Sequence, residues 1–208
     1  MGPADITRIS YNKPKPATSL KSFFLPVKEN VTSDIAFEKP RIIIGVPNCD
    51  IEGTSILDEI YLDKDFNDTF YRKRREETLL ISSDCFGIQE HCHCLSYGFK
   101  PYSTSNADLA VISMNGMIIF RVITKKGDDF IKNISAATPL EDNEILSKID
   151  KEHLATEALL TTANKGLPDY KKTGKIVAEA KNETWKKYSY HCVSCGACAT
   201  ICPTCTCF

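Results

Sequence analysis

Four closely spaced cysteines near the C-terminus govern how the end of this chain can fold. They form a C-x2-C-x2-C-x3-C-P run at Cys192, Cys195, Cys198 and Cys202. Thiols at this spacing draw the backbone into a tight loop around what they bind, and the run is that of an iron–sulfur segment. Gly196 suits such a loop because a residue without Cβ adopts positive φ easily. The spacing therefore predicts that Cys192, Cys195, Cys198 and Cys202 are iron–sulfur ligands and that the chain holds a 4Fe-4S cluster.

The fourth cysteine of the run carries a further expectation. In two-cluster ferredoxins the cysteine before the proline ligates the other cluster. Cys202 is therefore expected to face a second cluster, yet no second C-x2-C-x2-C run follows before Phe208. We expect the chain to be the N-terminal piece of a longer protein, truncated after its first cluster motif.

Other uses of these cysteines remain open as alternatives. A zinc ribbon has two C-x2-C pairs separated by roughly 15 to 20 residues, and Cys192/Cys195 lies much closer than that to Cys202/Cys205. A disulfide framework goes with an oxidising compartment and a secretory signal, and the N-terminus has neither a basic nor an apolar signal region. Iron–sulfur is the favoured interpretation, ahead of zinc and of inert or oxidised cysteines.

Length and charge limit the class of protein. A chain of 208 residues holds one ordinary core and a small appendage. The net charge of -1 gives no broad attraction to nucleic acid or membrane surfaces. The apolar stretches are too short to span a bilayer, and ten free cysteines suit a reducing compartment. We expect a cytoplasmic protein without a membrane span or a nucleic-acid partner.

The pattern of strands and helices predicts an α+β fold in four parts. Residues 1–18 are expected to form an extended or disordered arm, and residues 19–140 an α/β-like domain with a mixed sheet. Residues 141–186 are expected to be helical. Residues 187–208 are expected to form a partial bacterial-ferredoxin-type 4Fe-4S segment.

Individual elements follow from local chemistry. Pro26 predicts an edge strand at 21–27, because proline cannot donate to a strand ladder. β-branched runs predict a buried strand at 41–46 and a short strand at 77–82. Asn115-Gly116 predicts a type I′ hairpin. Helices are predicted at 54–61, 141–153, 154–164 and 170–185.

A second group of cysteines follows the predicted strands. Its members, with two interleaved histidines, are Cys49, Cys85, Cys92, Cys94, His91 and His93. If strands 41–46 and 77–82 are neighbours, the loops at their C-terminal ends open on the sheet edge where ligands bind. The four thiols would then converge on one metal or cluster. The alternative is that they are structural, because cysteine is often buried as a small apolar side chain and a lone C-x-C is a weak motif.

Several segments resemble the iron–sulfur (beta) subunit of hydrogenase and sulfur reductase complexes, and the related A subunit of anaerobic sulfite reductase, a family with a 4Fe-4S dicluster domain. The matching segments are residues 21–27, 45–50, 68–71, 74–76 and 83–85, and Trp185 through the C-P-T-C-T-C-F ending at 202–208. The resemblance covers nearly the whole chain from about residue 20.

The resemblance implies an electron relay between two partner subunits, one binding flavin and NAD(P)H and the other a catalytic hydrogenase or reductase. It implies no catalytic residue in this chain, and the sequence has no G-x-G-x-x-G, P-loop or nucleophile elbow. The alternative is an independent metal- or flavin-dependent oxidoreductase that uses the Cys49, Cys85, Cys92 and Cys94 loops. A metal-dependent structural module is a third possibility.

Overall fold

The structure is a computed structural model, and it describes residues 11–13, 18–26 and 40–206. Within them one mixed sheet has four strands: β1 (Arg41–Val46), β2 (Thr78–Ser83), β3 (Leu109–Met114) and β4 (Met117–Val122). The strand order is β1-β2-β3-β4, with β1, β2 and β3 mutually parallel and β4 antiparallel to β3. The predicted α+β class with a mixed sheet is confirmed.

Seven α-helices accompany the sheet in the part of the chain that the structure describes. They are α1 (Asn48–Tyr61), α2 (Thr69–Glu77), α3 (Lys125–Lys132), α4 (Asn143–Ala163), α5 (Tyr170–Ala178), α6 (Asn182–Ser189) and α7 (Ala197–Ile201), with short 3-10 helices at Leu20–Phe23 and Cys94–Tyr97. None of the helices in these described ranges combines the length and the apolar character that crossing a bilayer requires.

The core forms on both faces of β2, whose six residues are all buried. Leu80 points to one face and packs with Phe24, Ile51 and Leu57. Leu79 and Ile81 point to the other face, where Phe130 and Ile131 of α3 pack against them. Successive side chains of a strand point to opposite faces, so a strand that is buried throughout lies in the middle of a two-sided core. On β3, Ile112 packs against Ile145 and Ile149 of α4.

The hairpin is confirmed, and two strand predictions are wrong. Asn115 and Gly116 have φ of 52° and 75°, as a type I′ turn requires. β1 is an edge strand among the described residues, with Ile42 and Ile44 exposed; a β-branched run favours a strand without fixing its place in the sheet. Residues 20–23 form a 3-10 helix rather than the predicted edge strand, and Val27 lies outside the described residues.

The helix boundaries also differ from those predicted. α1 begins at Asn48 rather than Thr54. Residues 141–164 hold one helix, α4, because its buried side chains continue across the expected break at 153–154. Residues 170–185 hold two helices, since Lys181 has an extended backbone between α5 and α6. Most of the predicted arm at 1–18 lies outside the described residues.

Candidate metal centre

A cavity of about 520 Å³ lies at the C-terminal edge of β1 and β2. Cys49 reaches it from the first turn of α1, directly after β1, and Cys85 from the loop after β2. Cys92 and Cys94 line it from the loop that leads into the second 3-10 helix. The structure thus brings the four thiols to one cavity, and the parallel pairing of β1 with β2 is the reason.

Burial and neighbouring charges raise the pKa of three of these thiols. The Cys49 thiol reaches solvent at the cavity, but the surrounding protein still raises its pKa to about 12, with Asp50 and Cys94 adding to the rise. Burial raises the pKa of Cys85, and negative charge on Cys49, Cys94 or Cys92 raises it further. Burial also raises the pKa of Cys94. At neutral pH these thiols keep their protons unless a cation takes the protons' place.

The spread of the thiols distinguishes the kinds of metal they suit. A single zinc ion gathers its sulfur ligands at about 2.3 Å from one centre. No three Cys, His, Asp or Glu side chains among the described residues are grouped closely enough to hold a single ion. An iron–sulfur cluster distributes four cysteine ligands over several iron atoms. Four thiols that line one cavity are donors of the kind that an iron–sulfur cluster takes.

The structure divides the C-terminal run into two parts. Cys192 and Cys195 are exposed on the loop that enters α7, where Ser194 and Gly196 have φ of 55° and 72°, and Cys198 is exposed within α7 itself. These three thiols are not among the residues that line the cavity. Two left-handed residues in the loop give it the tight winding that the sequence predicts.

Cys202, the last cysteine of the run, lines the same cavity as the N-terminal cysteines. Partial burial opposes its ionisation, but hydrogen bonds from Thr204 and Cys205 outweigh this and lower the pKa of Cys202 to about 7. The Cys202 sulfur lies 3.5 Å from the Thr204 hydroxyl. The lowered pKa favours the thiolate of Cys202, the form that binds metal.

Two contacts hold the C-terminal segment against the N-terminal half. The ammonium of buried Lys21 donates hydrogen bonds to the carbonyl oxygens of Ala199 at 2.5 Å and Cys205 at 2.6 Å. Gly53 of α1 lies so close to Pro203 that a Cβ added there would be 2.7 Å from the Pro203 Cβ. The loop after α7 therefore lies directly on the first helix.

The Gly53 contact gives a testable prediction. Alanine favours a helix over glycine by about 0.8–1 kcal/mol, but at position 53 the new methyl group must displace Pro203, and such overpacking costs about 1–3 kcal/mol. We expect Gly53→Ala to speed the alkylation of Cys202 by iodoacetamide. Peptide mass spectrometry measures the alkylation rate.

Gly174→Ala is the matched control for Gly53→Ala. Gly174 lies in α5, and a Cβ added there would meet nothing within 4 Å. This variant should raise the free energy of unfolding by about 0.5–1 kcal/mol and leave Cys202 reactivity unchanged. Equal Cys202 alkylation rates in Gly53→Ala and in the original chain would show that the Pro203 contact does not hold the loop.

A buried charged group lies beneath the cavity. Asp84 is fully buried and accepts hydrogen bonds from Arg121 of β4 at 2.9 Å, while its other oxygen lies 2.8 Å from His153 Nε2 of α4. The Tyr102 ring stacks on His153 with centroids 3.9 Å apart. Because Asp84 precedes Cys85, the network anchors the backbone that presents this thiol.

The same network reaches Asn48, the residue before Cys49 in α1. Arg121 also donates to the Ser103 carbonyl at 2.8 Å, and the Ser103 hydroxyl donates to the Asn48 side chain at 2.6 Å. Asn48 in turn donates to the Lys100 carbonyl at 3.0 Å. These hydrogen bonds connect the backbone at Asp84 to that at Asn48, although the buried Arg121 Nε has no hydrogen-bond partner among the described residues. Sequence reasoning missed these residues; Arg121, a charge inside an otherwise apolar strand, was the available signal.

The fold and the cavity define an α+β protein whose thiols, drawn from both ends of the chain, converge at one sheet edge. The chain is 27% identical over 184 residues to the sulfhydrogenase 2 subunit beta of Pyrococcus furiosus. The alignment covers 88% of this chain and 53% of that subunit, so the chain spans about half the length of the relative. No protein-family model matches the sequence. No solved structure matches it.

Proposed function

We propose that this chain is an iron–sulfur electron-transfer subunit of a hydrogenase-type oxidoreductase complex. It relays electrons between a subunit that binds flavin and NAD(P)H and a catalytic hydrogenase, sulfur reductase or sulfite reductase subunit. The observation that carries this proposal is the position of Cys202, which places one thiol of the C-terminal run at the cavity of the N-terminal cysteines. The loop that carries Cys202 would then connect the two sets of cluster ligands.

Each set has residues suited to its task. Cys49, Cys85, Cys92 and Cys94 would hold one cluster, and the C-terminal run Cys192, Cys195, Cys198 and Cys202 would hold a 4Fe-4S cluster in a partial ferredoxin-type segment at 187–208. A 4Fe-4S cluster, when bound, supplies reversible one-electron transfer. The chain itself has no catalytic residue in this proposal. Residues 19–140 and 141–186 serve as the α/β domain and the helical segment that carry the two sets.

The side chains that line the cavity determine the environment of the N-terminal cysteines. Buried Leu160 lines the cavity together with Ile56 and Phe99, so part of the wall around the thiols is apolar. The Thr204 hydroxyl and the Cys202 sulfur are within hydrogen-bonding reach. Burial and hydrogen bonds to sulfur are the means by which a protein adjusts the potential of a cluster.

The sequence similarity supports the choice of complex. The relative is by name the beta subunit of a sulfhydrogenase, and the alignment spans most of this chain. The described thiols are all free, which suits the reducing cytoplasm that we propose as the location. The net charge of -1 supports partners recognised by local surface detail and gives nucleic acid no role.

Anaerobic reconstitution of the chain with iron and sulfide tests the proposal. We expect a brown protein with broad absorption near 400 nm, iron and acid-labile sulfide in about equal amounts, and an EPR signal after reduction by dithionite. The reduced chain should pass electrons to a partner subunit and show no turnover of its own with NAD(P)H and a dye. A colourless product that lacks iron and sulfide, or one that holds zinc alone, would overturn the proposal.

One observation favours a second candidate, an independent flavin- or metal-dependent oxidoreductase. A pocket of about 820 Å³ adjoins the cysteine cavity and shares His91, Cys92, His93 and Tyr97 with it. A pocket of this size is within the range that accommodates organic ligands. Turnover of a hydride donor by the isolated chain would support this candidate, and its absence supports the relay.

A further inference from the structure

Lys21 holds an unusual place for a lysine, since it is only 5% exposed and lies on the 3-10 helix Leu20–Phe23 far from the C-terminal segment in sequence. Its ammonium donates to the carbonyl oxygens of Ala199, within α7, and Cys205, beyond α7. Lysine is rarely buried unless its charge has partners. The two carbonyl groups bracket Cys202, so one side chain holds both sides of the loop that carries this thiol.

We propose that Lys21 is the positioning residue that fixes the Cys202 loop over the N-terminal cysteine cavity and places a positive charge beside it. Its neighbours fit this role. Leu20 and Phe24, on either side in the same segment, are buried in the core cluster that contains Ile51 of α1. The ammonium is thus anchored to the same helix that presents Cys49. A charged donor on two carbonyl groups holds a loop more firmly than neutral donors do.

The positive charge has an electrostatic consequence. The Lys21 ammonium donates to carbonyl oxygens on both sides of Cys202, so its charge lies close to the loop that carries this thiol. A cation near sulfur ligands also favours the more negative, reduced state of a cluster. This part of the inference rests on the proposed function, whereas the docking contact itself concerns the metal-free chain.

Hydrogen–deuterium exchange on the metal-free chain tests the docking contact. In Lys21→Met we expect the amides of residues 197–206 to exchange about tenfold faster or more, because two charge-assisted hydrogen bonds are lost. The amides of β2 and β3 serve as an internal reference and should change much less. Lys21→Arg keeps the charge and should restore part of the protection.

Lys126→Met is the matched control. The Lys126 ammonium also donates to two carbonyl groups, those of Glu76 at 2.7 Å and Thr78 at 2.8 Å, away from the cysteines. This variant should leave exchange at 197–206 unchanged. Unaltered exchange there in Lys21→Met, or an increase that is equal in β2 and β3, would overturn the proposal.

Redox titration of the reconstituted chain provides the second readout. Lys21→Met should shift the reduction potential to a more negative value, Lys21→Arg should stay near the original value, and Lys126→Met should not shift it. An unchanged potential in Lys21→Met would overturn the electrostatic role. If no variant binds iron, the proposed function fails, and the exchange experiment still decides the docking contact.

Discussion

A chain with both Cys49→Ser and Cys85→Ser is expected to bind about half the iron of the original chain after reconstitution, because one of two four-cysteine clusters is lost. The matched variant, with Cys192→Ser and Cys195→Ser, should lose the other half. Cys49 and Cys85 enter the cavity from separate elements, α1 and the loop after β2. Replacing both removes two thiolates from one set and leaves the C-terminal run complete.

Iron and sulfide analysis with EPR of the reduced protein measures this result. Each double variant should lose its own EPR signal and keep the other. Both variants should remain folded, since serine is close to cysteine in size. Far-UV circular dichroism checks this. Full iron content in Cys49→Ser/Cys85→Ser would show that these thiols are structural. Complete loss of iron in both double variants would show a single shared cluster instead of two.

Local rules account for the elements that were predicted correctly. The Asn115-Gly116 hairpin follows from residues that accept positive φ, and the short strand predicted at 77–82 is found as β2, around Leu79, Leu80 and Ile81. The place of β1 at the edge of the sheet could not be predicted, because strand order depends on contacts between distant segments. α1 begins six residues earlier than its predicted start. Pro47 is its N-cap, and Asp50 lies in its first turn, where a negative charge is favourable.

In the candidate site, too, some features follow from neighbouring elements and others depend on contacts between distant segments. Convergence of Cys49 with Cys85 was predicted only on the condition that the strands at 41–46 and 77–82 are neighbours, and the parallel pairing of β1 with β2 meets that condition. The position of Cys202 and the Lys21 contact were not predictable, since residues 178 positions apart meet only in the folded chain. Likewise, His153 stood alone in the sequence, and only the packing of α4 on β3 brings it to Asp84.

Asp84→Ala is expected to lower the free energy of unfolding by about 3–5 kcal/mol, because it leaves the Arg121 charge and His153 without their buried carboxylate. The Asp84 side chain is 0% exposed, and it joins β2, β4 and α4 through two partners. Removing one member of a buried ionic network costs much more than removing one member of an exposed pair. Urea unfolding followed by circular dichroism measures the difference.

Asp128→Ala provides the comparison, because Asp128 pairs with Lys132 on the exposed surface of α3. Its loss should cost no more than about 1 kcal/mol. Similar small losses in both variants would mean that Asp84 is dispensable for folding. A large loss confined to Asp84→Ala would instead tie the stability of the sheet to the residue that precedes Cys85. The network that stabilises the fold would then be the same network that holds the cavity thiols in place, so iron binding and stability should fall together in this variant.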